Sequence, residues 1–310
     1  MDQIPTATGV IDSPETLEAA SVTPVSPDEA AALASVQIER LLALLEQFDP
    51  ADWEKPTYCS LWNVRQVVAH LAGALGAYAD WERLLERSVP WTQGKADQPD
   101  VTMPIFLADL AGVPVERWKE YRQRGFVPLD ALNQFEVDQR AHATPASLIA
   151  ELRAVGLAAI ANRLRLPDAV RSVQLPVAGV KAPVRYLLDV IYPRDMWMHR
   201  MELALATGRP IIRTTDHEGR LTALVMRDLS LRLNRALVNR SIVYRLAGPD
   251  GGVYHFGPST SPEVVLAMDC VEFHLLASGR KSAADVRRST TVVGDEALAE
   301  RVLTNTIVTY

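Results

Sequence analysis

A chain of 310 residues, 48% hydrophobic and 23% charged, has the composition of an ordinary globular protein with room for two domains, which excludes a disordered or fibrous class. Its net charge of −6 and pI near 5.6 leave no overall positive field for phosphate backbones or anionic lipid, so no nucleic-acid partner is expected. Two cysteines, Cys59 and Cys270, stand without C-x-x-C spacing, and no signal peptide or apolar run of roughly 20 residues is present, so a cytoplasmic protein with no membrane association is expected.

In chain order, residues 1–26 carry Pro5, Pro14 and Pro24 among many Thr, Ser and Ala and read as a flexible tail outside the fold. Ser26-Pro27-Asp28-Glu29 is a helix start, with an N-cap, a proline at the first helical position and acids in the first turn. Apolar residues then recur at Leu33, Val36, Leu41, Leu44, Leu45 and Phe48. A second helix opens after Trp62, with Asn63 as cap and Gln66 in the capping-box position, and is expected to run to about Arg87. Ser88 to Pro128 holds five prolines and is expected to wrap the bundle, with a shorter helix near Val115 to Arg124.

A helical arm from Asp130 to Arg140 precedes a third main helix from Pro145 to about Leu164, and Pro167 to Ala182 reads as extended. The fourth main helix spans about Pro183 to Ala206 and stops at Gly208-Pro210. Residues 27–210 thus read as a four-helix bundle. Residues 211–310 read as a small α+β domain. Its expected elements are a helix at Leu221 to Val238, β-rich runs at Ser241 to Leu246, Val253 to Phe256, Glu263 to Met268 and Thr290 to Val293, and helices at Val271 to Ala277 and Glu296 to Leu303.

The fourth helix carries Asp195 and His199, a carboxylate and an imidazole on one face with Cβ atoms about 5–6 Å apart, close enough to share one metal ion. The same spacing also suits an ordinary surface pair. His70 stands mid-way along the apolar second helix, among Val67, Val68, Leu71 and Ala74, and should point inward. Gly73, Ala74 and Ala77 are small and would leave room beside it. Two imidazoles and a carboxylate make a three-ligand set with open positions, as catalytic metal sites have. Zinc is the first choice for the divalent metal; nickel, iron or manganese would suit the same ligands. Glu202, one turn past His199, is a candidate second-sphere or acid/base group. Pro193 should either kink this helix or begin a new segment of it.

The run Trp53, then Pro56-Thr57-Tyr58-Cys59-Ser60-Leu61-Trp62-Asn63-Val64-Arg65-Gln66-Val67-Val68-Ala69-His70-Leu71, followed by Arg194-Asp195, Trp197, His199 and Ala206-Thr207-Gly208-Arg209-Pro210, resembles the DinB-like, mycothiol-dependent maleylpyruvate isomerase family. Phe273 to Arg280 and Val292 to Asp295 look like the sterol-carrier-like domain that often follows that bundle. The resemblance implies a mainly α fold and a zinc-type ion on His70, Asp195 and His199, with Asp195 where the family usually has Glu. It also implies mycothiol as thiol cosubstrate: thiolate formed beside the cation adds to a small-molecule electrophile, giving isomerisation or S-transfer. Arg280 is the candidate anion-binding group from the second domain, or else an ordinary turn arginine. Two other functions stay open: a binding protein for an apolar ligand, and a metal-dependent hydrolase on the same bundle. Either a monomer or a homodimer is compatible with the sequence.

Overall fold

In the computed structural model, residues 15–177 and 180–310 are described, the side chains of residues 180 and 234–236 excepted. The chain divides into two compact units, one of Pro24–Ile212 with Thr309–Tyr310, the other of residues 15–23 with Arg213–Val308. The first described element, β1 (Thr16–Glu18), belongs to the second of these.

The helical unit opens with α1 (Pro27–Leu45), capped by the Ser26 hydroxyl, which accepts the Glu29 N–H at 3.2 Å. α2 (Val64–Ala79) begins at Asn63 in a full capping box, the Asn63 side chain accepting Gln66 N–H while the Gln66 side chain accepts Asn63 N–H, each at 3.0 Å. The helix ends earlier than its apolar pattern suggests. Asp80 is extended (φ −93°, ψ 108°) and its side chain caps α3 (Trp81–Thr92) through the Arg83 N–H, so a single aspartate divides one long periodic run into two helices. The proline-rich stretch carries α4 (Met103–Ala111), α5 (Val115–Gln123) and α6 (Pro128–Asp138). α4 is absent from the sequence reading because its nine residues are apolar nearly all round and show no helical stripe.

α7 (Pro145–Arg165) is the longest helix. The stretch expected to be extended opens instead with a single helical turn, α8 (Asp168–Arg171), before the hairpin of β2 (Gln174–Val177) and β3 (Val180–Pro183). α9 (Val184–Tyr186) leads through a π turn (Leu187–Ile191) into α10 (Tyr192–Thr207). Pro193 is at the start of α10, and the carbonyl it would strike, that of Asp189, lies inside the π turn; the wider turn accommodates the ring and its missing N–H. Gly208, left-handed at φ +72°, ends α10.

α1, α2, α7 and α10 form the bundle: α1 packs on α7 and α10, and α2 on α7, α10 and α6. Its core runs through Leu41, Leu45, Val67, Val68, Leu71, Leu75, Leu148, Leu152 and Leu203. α10 is buried on nearly every side, the mark of a central helix.

In the α+β unit, a five-stranded sheet has the order β1-β5-β4-β6-β7, with β4 (Ile242–Ala247), β5 (Gly252–Phe256), β6 (Val264–Asp269) and β7 (Thr291–Gly294). β4 runs parallel to β6 and antiparallel to β5. The helices are α11 (Arg220–Leu237), α12 (Cys270–Ala277), α13 (Ala283–Arg287) and α14 (Glu296–Asn305). Within the expected tail, residues 1–14 lie outside the described residues, but β1 departs from that expectation. It pairs parallel with β5, and Glu18 bonds the His255 Nδ1 at 2.8 Å. Three residues are too few to display strand alternation; their structure comes from the partner strand. Among the described residues no helix is long and apolar enough to cross a membrane.

Candidate metal centre

His70 sits two turns into α2 and is 5% exposed. Its Nδ1 lies 2.8 Å from Glu136 Oε2 on α6, and Glu136 is itself buried. Gly73 makes this approach possible. A Cβ at that position would stand 2.5 Å from the Glu136 Cβ, so the space that small residue opens is filled by a carboxylate arm. Burial pushes the Glu136 carboxyl up from its ordinary pKa, opposed by its bond to His70. On the other side, the Trp62 ring packs on the imidazole at 5.2 Å between centroids, and its Nε1 donates to Gln134 Oε1 at 3.1 Å. The segment before α2 thereby forms one wall.

α10 supplies the other donors. His199 is 5% exposed; its Nε2 is 3.5 Å from Asp195 Oδ1, one turn earlier, and its Nδ1 is 3.0 Å from Glu202 Oε2. Glu202 is fully buried, and its Oε1 accepts the backbone N–H of Cys59. The rings of His70 and His199 meet edge to face at 5.2 Å. One nitrogen or oxygen each from His70, Asp195 and His199 lie within 4.8 Å of one another, so the three residues picked out by spacing converge in space.

The set fits a divalent cation on chemical grounds. Each imidazole gives Nδ1 to a buried carboxylate, which fixes the ring and its tautomer and leaves Nε2 for coordination. Asp195, partly exposed at 21% of its side chain, adds the one anionic donor and faces accessible space. Glu202 stands behind His199, with both oxygens engaged. Arg280 belongs to the α+β unit, in the turn after α12, where its backbone N–H bonds Leu275 O at 2.9 Å; its role toward an anion rests on sequence alone. Glu136 was not among the sequence candidates. Its only local signal is an acid four residues after Leu132, on the buried flank of α6.

Residues 34–204 match the profile of the family described as the mycothiol maleylpyruvate isomerase N-terminal domain. More than half of the chain is covered, and the chain belongs to that family. Two solved structures resemble it, the crystal structure of the mycothiol-dependent maleylpyruvate isomerase and that of a histidine-to-alanine mutant of it. Each is 15% identical with a TM-score of 0.51, over 86% of this chain and 93% of the other. At that identity the likeness speaks for the fold, a DinB-like helical bundle followed by an α+β unit. No curated protein matches the sequence.

Proposed function

We propose that this chain is a metal- and thiol-dependent isomerase or S-transferase of the maleylpyruvate isomerase type. Its divalent ion, zinc by preference, would be held by His70, Asp195 and His199. The observation that carries the reading is the convergence of these three donors, with both imidazoles backed by buried carboxylates. A cation there lowers the pKa of a low-molecular-weight thiol, roughly 8.5 when free, and so supplies a nucleophile at neutral pH.

The chain's own residues do the rest. Glu136 and Glu202 accept the Nδ1 protons of His70 and His199 and hold the rings in register, so Glu202 is a positioning residue rather than a proton-transfer group. Trp62 closes one side of the site to water. Asp195, one methylene shorter than the glutamate usual in the family, would hold the ion from α10 together with His199. Mycothiol is the thiol that family membership suggests, and the substrate is a small electrophile able to undergo thiol addition, rotation and elimination. The α+β unit, with its β1-β5-β4-β6-β7 sheet, is assigned to the sterol-carrier-like type on its sequence motifs.

Elemental analysis of the purified full-length protein, combined with turnover of maleylpyruvate with and without mycothiol, tests the reading. The expected result is about one divalent ion per chain and turnover that requires thiol, both lost in His199→Ala. Protein without stoichiometric metal, or activity untouched in that variant, overturns it; metal-dependent turnover without thiol would instead identify a hydrolase.

A further inference from the structure

A buried indole N–H needs an acceptor, and for Trp62, 7% exposed, that acceptor is the Gln134 amide on α6, 3.1 Å from Nε1. An amide can present either its oxygen or its NH2 group, and the neighbours of Gln134 decide which. One turn along α6, Asp138 Oδ1 accepts from Gln134 Nε2 at 2.7 Å, and Asp138 Oδ2 accepts the Tyr121 hydroxyl at 2.6 Å. Tyr121, on α5, is approached in turn by Arg117, whose Nη2 donates to the phenol oxygen at 3.1 Å. A guanidinium cannot accept and an ionised carboxylate cannot donate, so both arms of this relay donate towards Asp138. Burial, and then the bond to Asp138, push the Tyr121 phenol up to about 12, so it keeps its proton at neutral pH. The Gln134 amide is thereby held in one orientation, with its oxygen on the indole.

The relay reaches the metal centre through His70. The bond from Nδ1 to Glu136 fixes one atom of the imidazole, and a ring held at one atom can still tilt. The Trp62 ring, 5.2 Å away between centroids and inclined at 32°, lies along the imidazole and restrains that tilt. Trp62 is also fastened through its backbone, its N–H donating to Cys59 O and its carbonyl accepting the Thr57 hydroxyl, each at 2.9 Å. With backbone and indole N–H both held, the ring has little freedom to swing. α6 thus supplies two restraints on His70, one directly from Glu136 and one from Gln134 by way of Trp62. Its own seat on α5 is a small separate core of Tyr121, Ala131 and Phe135.

We infer that Gln134 is a positioning residue of the metal centre: its amide, oriented by Asp138, pins the Trp62 indole and so fixes the plane in which His70 presents Nε2. The role rests on the metal-centre reading. It gives α5 and α6, which carry none of the three donors, control over the orientation of one of them.

Full-length protein grown with nitrogen-labelled tryptophan carries six indole N–H groups, and the Trp62 resonance is the one that Trp62→Phe removes. In metal-free protein, solvent exchange of that proton should be roughly 10-fold faster in Gln134→Leu than in the wild type, the factor for one lost hydrogen bond. Zinc affinity, measured by chelator competition, should fall several-fold in the same variant. Asp138→Ala, which frees the amide to turn over, should move both readouts in the same direction. Asp138→Asn, whose amide oxygen still accepts from Gln134, should keep both near wild type; this pair also decides the matter if Gln134→Leu fails to fold. Unchanged indole exchange in the folded variants, faster exchange with unchanged zinc affinity, or Asp138→Asn behaving as Asp138→Ala does would overturn the role. Wild-type protein that takes up no zinc but shows the exchange difference sinks the metal centre and leaves the pin on Trp62 standing. Wild-type protein that loads zinc while exchange is the same in every variant sinks the pin alone.

Discussion

Glu136 is the residue on which the geometry at His70 turns. Without it, the imidazole would lose the acceptor that fixes its tautomer, and the ring could rotate away from Asp195 and His199. Glu136→Ala should weaken metal binding by about 10- to 100-fold, and Glu136→Gln by less, since an amide oxygen still accepts from Nδ1. Competition with a chromophoric chelator measures both; unaltered affinity in the alanine variant would show that His70 is oriented by packing alone. Gly73 is tied to the same contact. A methyl group placed 2.5 Å from the Glu136 Cβ forces α6 off α2, so Gly73→Ala should lower stability by about 1–3 kcal/mol and metal affinity with it. The sequence displays one side of this arrangement only. His70, Asp195 and His199 stand out because their spacing and apolar surroundings are local properties, whereas the pairing of His70 with Glu136 spans 66 residues and leaves no periodic trace.

Among the elements, α2 bears most of the site, and its position is set at its first turn. Asn63 caps the helix and also donates from Nδ2 to Glu54 Oε2 at 2.9 Å, joining the loop that carries the Trp62 wall to the helix that carries His70. Asn63→Ala should cost about 1 kcal/mol, seen as a lower urea midpoint, together with a loosened Trp62 wall seen as a shift in tryptophan emission; an unchanged midpoint would mean that the Gln66 half of the capping box suffices. Elements with a cap and a clear stripe, α1 and α7, are legible from the sequence within a few residues, as is the start of α2; α10 has no side-chain cap, is buried nearly all round and starts at Tyr192 rather than near Pro183. Those without one are not: α4 is uniformly apolar, β1 exists through β5, and the α2–α3 break depends on the backbone conformation of Asp80 rather than on hydrophobic pattern. The π turn before Pro193 is a middle case. Proline announces a disturbance there, but widening of the preceding turn by one residue, rather than a bend, is a choice made by packing around α10.

Across the helical unit, the connection between α1 and α2 is fastened by charge to the segment that follows α10. Arg209, just past α10, reaches Asp52 Oδ2 at 2.8 Å and Asp49 Oδ2 at 3.0 Å, and Lys55 Nζ lies 2.7 Å from Asp52 Oδ1. Asp52 thus links the stretch before the Trp62 wall to the exit of the helix bearing Asp195 and His199. The guanidinium of Arg209, followed by the Lys55 ammonium, holds the Asp52 carboxyl well below the usual carboxylate range. A carboxylate with a depressed folded-state pKa stabilises the native state fully above its unfolded pKa of about 3.9 and loses that contribution as pH falls toward the folded value. The urea midpoint of the wild type should therefore fall steadily between about pH 5 and pH 2, and Asp52→Asn, which cannot titrate, should start lower at neutral pH and decline less steeply. The gap between the two curves is expected to close toward the acid end. Parallel curves across that window would mean that the Arg209 contact persists on protonated Asp52, leaving acid sensitivity to other carboxylates of the bundle.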